Sequence, residues 1–144
     1  MMREVGMFRV LVCLMGIVLV CCAVASAASP KPGALFRDTK GGESGGSFTV
    51  ASSGKAIKAG AIVHSNFKCV RANAVIPRAI PVTAAGTFFY MGPLKGQPGT
   101  VTVKGRFTSV AKATVTTVIK NGSCVSGVIR WAATASTSGG VTLG

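Results

Sequence analysis

Residues 100–121 read TVTVKGRFTSVAKATVTTVIKN, and this stretch decides the fold class. Val, Thr and Ile dominate it, and no helical period persists for more than about two turns, so strands are the better reading. Lys104-Gly105-Arg106-Phe107-Thr108, a short Ser109-Val110-Ala111 connection and Lys112 onward predict a β-hairpin. On the second arm Val115, Thr117 and Ile119 share one face, and Thr114, Thr116 and Val118 the other. That is the period-two alternation of a strand. Asn121-Gly122 follows as a turn pair, since both residue types tolerate positive φ.

Working outward, strands are predicted at 47–52, 57–67, 85–91, 100–108, 112–120 and 126–135, with a short one near 73–76 and an edge at 141–143. In the strand at 126–135, Ile129, Trp131 and Ala133 are expected to face inward. Pro77, Pro81, Pro93 and Pro98 make the middle of the chain loop-rich or edge-like. Regular strand spacing, a buried tryptophan and one disulfide predict an all-β fold. The expected form is a single small β-sandwich of Ig-like layer architecture over 47–144, with a small β-barrel as the alternative. Residues 28–46 hold Pro30, Pro32 and five glycines and read as a flexible linker. Leu35 and Phe36 are the exceptions there, apolar enough to pack on a sheet edge.

The N-terminus has three zones. Arg3 and Arg9 precede the uncharged apolar run Val10–Val24, and Ala25-Ser26-Ala27 follows. This order predicts a signal peptide over 1–27, cleaved near Ala27, and a secreted or envelope-associated product. The apolar run is shorter than the roughly 20 residues of a spanning helix, so no stable transmembrane anchor is expected after cleavage. Cleavage removes Cys13, Cys21 and Cys22 and leaves Cys69 and Cys124. An even cysteine count in an exported chain predicts a disulfide between them. It would close a loop of about 55 residues and contribute roughly 4 kcal/mol by chain-entropy arithmetic.

The charge is lopsided. The chain carries 16 Lys and Arg against 3 Asp and Glu, and from Ser44 to Gly144 there is no acidic residue. Basic side chains in that stretch have no carboxylate side-chain partner within it. Their charges are solvated or matched from outside, and their mutual repulsion slightly opposes compaction. Lys55, Lys58, Lys68, Arg71, Lys104, Arg106, Lys112 and Arg130 are the candidate polyanion-binding residues. The partners this implies are an anionic polysaccharide, a lipid surface or another polyanion, bound in a salt-sensitive way.

Several chemistries lack their residues. A glycosidase needs two placed carboxylates, and the acids after the signal are Asp38 and Glu43, both in the predicted linker. His64 is the sole histidine, with no acid in the predicted sheet to orient it as a base. Two cysteines and one histidine do not make a four-ligand zinc site, calcium wants several carboxylates, and no glycine-rich loop opens a helix. No catalytic residue, metal or cofactor is therefore expected. Phe88-Phe89-Tyr90 puts aromatic rings on both faces of a strand, which suits core packing or a stacking platform beside cations.

Two segments carry a resemblance. Ser47-Phe48-Thr49-Val50, and Gly105-Arg106-Phe107-Thr108 followed by Cys124-Val125-Ser126-Gly127-Val128-Ile129-Arg130-Trp131-Ala132-Ala133, resemble small secreted, functionally uncharacterised β-sandwich proteins of actinomycete-type bacteria. The pattern is G-[KR]-F-T, a strand, then C-x-[ST]-G-x-[VI]-x-W-x-A, with an upstream cysteine matching Cys69. The hairpin strand of that pattern carries a glycine where Lys112-Ala113-Thr114-Val115 has none. The resemblance implies export and a sandwich, and no activity. The leading expectation is a non-enzymatic secreted domain that associates with anionic envelope or extracellular polymers. A protein-binding module using loops in Pro77–Pro98 is the alternative, and an extracellular hydrolase the third.

Overall fold

The computed structural model describes residues 27–42, 44–67, 70–93 and 98–136, without the side chains of 67 and 70–72. The expected signal peptide, save Ala27, and the expected edge at 141–143 lie outside the described residues. So do Lys68, Cys69 and the side chain of Arg71. Eleven strands form among the described residues: β1 (Leu35–Asp38), β2 (Gly45–Thr49), β3 (Ala56–Ile57), β4 (Ile62–Phe67), β5 (Val70–Val75), β6 (Ile80–Pro81), β7 (Thr87–Pro93), β8 (Thr100–Ser109), β9 (Lys112–Asn121), β10 (Cys124–Val125) and β11 (Ile129–Ala135). The fold is all-β.

One sheet runs in the order β5-β4-β2-β1-β11-β9-β8-β7, with β10 paired to β9, and β3 and β6 form a separate two-stranded ribbon. The sheet curls into a half-barrel, and the ribbon spans its mouth. Val50, just after β2, bridges Ile57, and Val82, just after β6, bridges Phe88 in β7. The expected β-sandwich is therefore corrected: one curled sheet supplies both walls of the core, and the curl is a half-barrel rather than a fully paired barrel.

The physical reason lies in the segment read as a linker. Leu35–Asp38 pairs with β2 on one side and with β11 on the other. This short strand joins what would otherwise be two sheets. Phe36 is fully buried and stacks on Phe48 at 5.1 Å between ring centroids. Burial of that ring, worth about 1.5–3 kcal/mol, joins the ladder hydrogen bonds to β2 and β11 in offsetting the entropy cost of ordering the strand. The expected strand at 57–67 is likewise divided, because the chain turns at Gly60 with φ 92° between β3 and β4. No cysteine pair lies within the described residues, Cys69 being outside them, while Cys124 at the start of β10 is half-buried and disulfide-bonded.

The hairpin β8–β9 pairs in register from Thr100↔Lys120 to Phe107↔Ala113, with a bulge between Phe107 and Ser109. Val101, Val103 and Phe107 of β8 and Ala113, Val115, Thr117 and Ile119 of β9 point inward. They meet Ile129, Trp131 and Ala133 from β11. Asn121 pairs with Cys124 across a two-residue loop, Gly122-Ser123, with Gly122 at φ 60°. Positive φ at the first central position is what a two-residue hairpin turn requires, and glycine takes it without a Cβ penalty.

The centre is aromatic. Phe107 lies 5.3 Å from Phe36, 6.0 Å from Phe48 and 5.4 Å from Phe88, and Trp131 lies 6.3 Å from Phe48. These are offset and edge-to-face separations that favour ring pairs. Two inward glycines make room. A Cβ at Gly46 would stand 3.1 Å from the Trp131 ring, and one at Gly105 would fall within the Phe88 ring. Buried polar atoms are matched: Trp131 Nε1 donates to Thr117 Oγ1 at 3.1 Å. Ser126 Oγ accepts from the Ile119 amide at 2.9 Å and donates to the Gly127 carbonyl at 2.8 Å. Replacing Thr117 with valine keeps the volume and strands the indole N–H. Urea unfolding is expected to show a loss of about 1–3 kcal/mol. An unchanged midpoint would mean the indole finds another acceptor.

Candidate polyanion-binding face

The core leaves little room for a ligand. The void among Phe48, Val103, Val115 and Trp131 is about 10 Å³, the size of a single water. Recognition by the curled sheet therefore falls to its outer surface.

Alternation sets what that surface carries. With Val101, Val103 and Phe107 inside, β8 turns Thr102, Lys104 and Arg106 outward. By the same rule β9 exposes Lys112, Thr114, Thr116 and Lys120, and β11 exposes Arg130 and Ala132. On β1 Arg37 is exposed beside buried Phe36. Register then decides which of these stand together. Lys104 lies opposite Thr116, and Thr116 opposite Arg130, which makes one row across β8, β9 and β11. Arg106 lies opposite Thr114, and Thr114 opposite Ala132, in the next row. Lys112 lies opposite Thr134, which lies opposite Arg37. Alternate residues on a strand are ~7 Å apart and alternate strands ~10 Å apart. The cations thus form a lattice of that spacing, filled in by threonines.

Among the described residues no carboxylate side chain on this face neutralises it. Asp38 is the one carboxylate among the described residues. Its Oδ1 accepts from the Lys40 amide at 3.1 Å, and the side chain lies over Gly45. Six positive groups within a few strand spacings, with no described carboxylate among them, sum to a positive field over the outer surface.

Of the candidate residues, Lys104, Arg106, Lys112 and Arg130 are brought together here. Lys55 and Lys58 are not. Lys55 sits in the turn before β3 and Lys58 just after it. Lys55 borders a separate recess of about 370 Å³ with Ala28, Pro30 and Val82. Arg37 and Lys120 join the face although sequence reasoning did not select them. The signal for Lys120 was its parity with Thr116 and Val118. Arg37 had none, because its strand was read as linker.

His64 is half-buried on β4, and its Nε2 donates to the Gly42 carbonyl at 3.3 Å. Phe88 and Tyr90 are buried, whereas Phe89 between them is 53% exposed. Phe89 lies opposite Lys104 across the β7–β8 pair, and the Lys104 ammonium stands 5.7 Å from its ring centroid. The Arg78 guanidinium covers the Tyr90 ring at 5.2 Å.

No protein-family model, curated protein or solved structure matches the chain. The functional reading rests on this geometry.

Proposed function

We propose that this chain is a secreted, non-enzymatic domain that associates with acidic envelope or extracellular polymers through the outer face of β8, β9 and β11. The observation that carries the reading is the row Lys104–Thr116–Arg130 with Arg106 beside it, on a face where no described residue is acidic. A single exposed lysine attracts an anion weakly, because water screens it. A lattice of cations gains by releasing many counterions at once from a polymer whose charges are themselves closely spaced. The threonines between the cations offer hydroxyls that donate to or accept from the polymer without adding charge. Paired strands fix the backbone positions of these groups, so the ordering cost of binding is confined to the side chains themselves.

The test uses immobilised polygalacturonate and the purified protein at increasing salt. Retention at low salt that falls steeply as salt rises is the expected result. The triple variant Lys104→Gln/Arg106→Gln/Arg130→Gln should bind roughly 10–100-fold more weakly at low salt, with the slope of log K against log salt reduced by about 2–3. Lys55→Gln/Lys58→Gln, away from the lattice, should stay within about threefold of the parent by the same counting. Absence of retention at low salt, or equal losses in the two variants, would remove the proposal. Retention that persists at high salt would point to a protein partner instead.

A further inference from the structure

Phe89 stands at the margin of the cationic face and beside a concavity. A groove of about 350 Å³ is lined by Arg78, Ala79, Ile80, Pro81, Phe89 and Tyr90. It lies on the β6 side of β7, whereas Lys104 lies on the β8 side. The exposed ring therefore has a cation on one flank and the groove on the other. Arg78 is held over the buried Tyr90 ring, a cation–π placement that orients its guanidinium at the groove.

We propose that this groove is a subsite for one hexuronate ring of an acidic polysaccharide. The inference rests on the polyanion reading above and names the ligand class. A pyranose ring has an apolar C–H face, which packs on the exposed face of Phe89 as apolar groups pack on aromatic rings. Its carboxylate meets the planar fork of Arg78, the side chain best matched to bidentate carboxylate binding. Ala79, Ile80 and Pro81 supply an apolar floor, in keeping with sites that are mostly apolar with a few placed polar groups. Lys104 ties the groove to the lattice, since it stands opposite both Phe89 and Thr116. A polymer with one ring in the groove continues over β8 and β9 toward Arg130. A stacked nucleobase fits less well, because Arg78 is the charged group of the lining and a neutral base brings it no counter-charge.

Three probes separate the possibilities: tetragalacturonate, inorganic polyphosphate of similar charge, and oligo-dT, each titrated into the full protein at one low salt concentration. Phe89→Ala should weaken tetragalacturonate about tenfold, the scale on which removal of a stacking aromatic acts. Polyphosphate, which has no ring, should change by less than about twofold, as expected when the lattice charge is retained. Phe89→Tyr should restore tetragalacturonate binding, and it keeps the test valid should the alanine variant fold poorly. If the parent protein binds neither tetragalacturonate nor polyphosphate, both this subsite and the polyanion reading fall. If it binds both and Phe89→Ala moves them equally or not at all, the subsite alone falls. Phe89-dependent binding of oligo-dT without Phe89-dependent binding of tetragalacturonate would assign the groove to nucleobases and overturn the proposal.

Discussion

Replacing Phe107 with alanine is expected to cost about 3–5 kcal/mol of folding stability, the range for a fully buried aromatic truncated to a methyl. Phe107 is 1% exposed, and its ring packs on Phe36, Phe48 and Phe88. Two of these rings come from the neighbouring strands β1 and β2, and the third from β7, four places beyond β1 in the sheet order. Phe107 thus packs the β7–β8 arm of the curl against β1 and β2, beside the direct contact of Phe48 with Phe88. The walls are paired strands and cannot collapse into the space, so the cavity term adds to the lost transfer energy. Domains of this size are stable by only about 5–15 kcal/mol, so the variant should be close to unfolded at moderate denaturant. The measurement is the urea midpoint, with the slope checked for constancy. Phe89→Ala is the matched control, because its ring is half in water, and it should shift stability by less than about 1 kcal/mol. Equal shifts for the two variants would mean that Phe107 is not at the centre of the core.

Gly105→Ala is expected to destabilise by about 1–3 kcal/mol through overpacking, against the ordinary trend. Elsewhere in a strand alanine is better than glycine by roughly 0.5–1 kcal/mol, because glycine loses more backbone freedom on folding. At this position the new methyl would fall within the ring of Phe88. Phe88 lies directly opposite Gly105 in the β7–β8 pair and is 4% exposed. It cannot swing away, because Phe48 and Phe107 lie 5.6 and 5.4 Å from it. The double variant Gly105→Ala/Phe88→Leu isolates the clash. Its stability loss should be smaller than the sum of the two single losses by about 1 kcal/mol or more, as for residues in direct contact. A neutral or stabilising Gly105→Ala, or strict additivity in the cycle, would show that the ring does not lie across Gly105.

The sequence was most legible where the argument is local. TVTVKGRFTSVAKATVTTVIKN announces two strands and a short connection, and its alternation separates Phe107 and Val103 from Lys104 and Arg106 without knowledge of any neighbour. Trp131 is inward for the same reason. A turn at Gly122 is legible from its glycine, although the loop is Gly122-Ser123 and not the expected Asn121-Gly122 pair. The misreading of Leu35–Asp38 has an equally local cause. Four residues among glycines and prolines are too few to show a period, and what orders them is the cavity Phe36 fills, which other strands create. The polar site divides in the same way. That Lys104, Arg106, Lys112 and Arg130 are basic and outward follows from residue type and parity. That Lys55 and Lys58 stand apart from them, while Arg37 joins, follows from pairing.

Strand composition, inner and outer faces and the excess of positive charge were therefore determined by the sequence itself, because each depends on residues within a few positions of one another. Strand order was decided only by the tertiary structure. β1 had to find both β2 and β11, separated from them by a few residues on one side and some ninety on the other, and no short-range pattern encodes such a pairing. Once it is made, two sheets become one curl. The core closes on Phe107, and Lys104, Thr116 and Arg130 come to stand in one row on the outer surface.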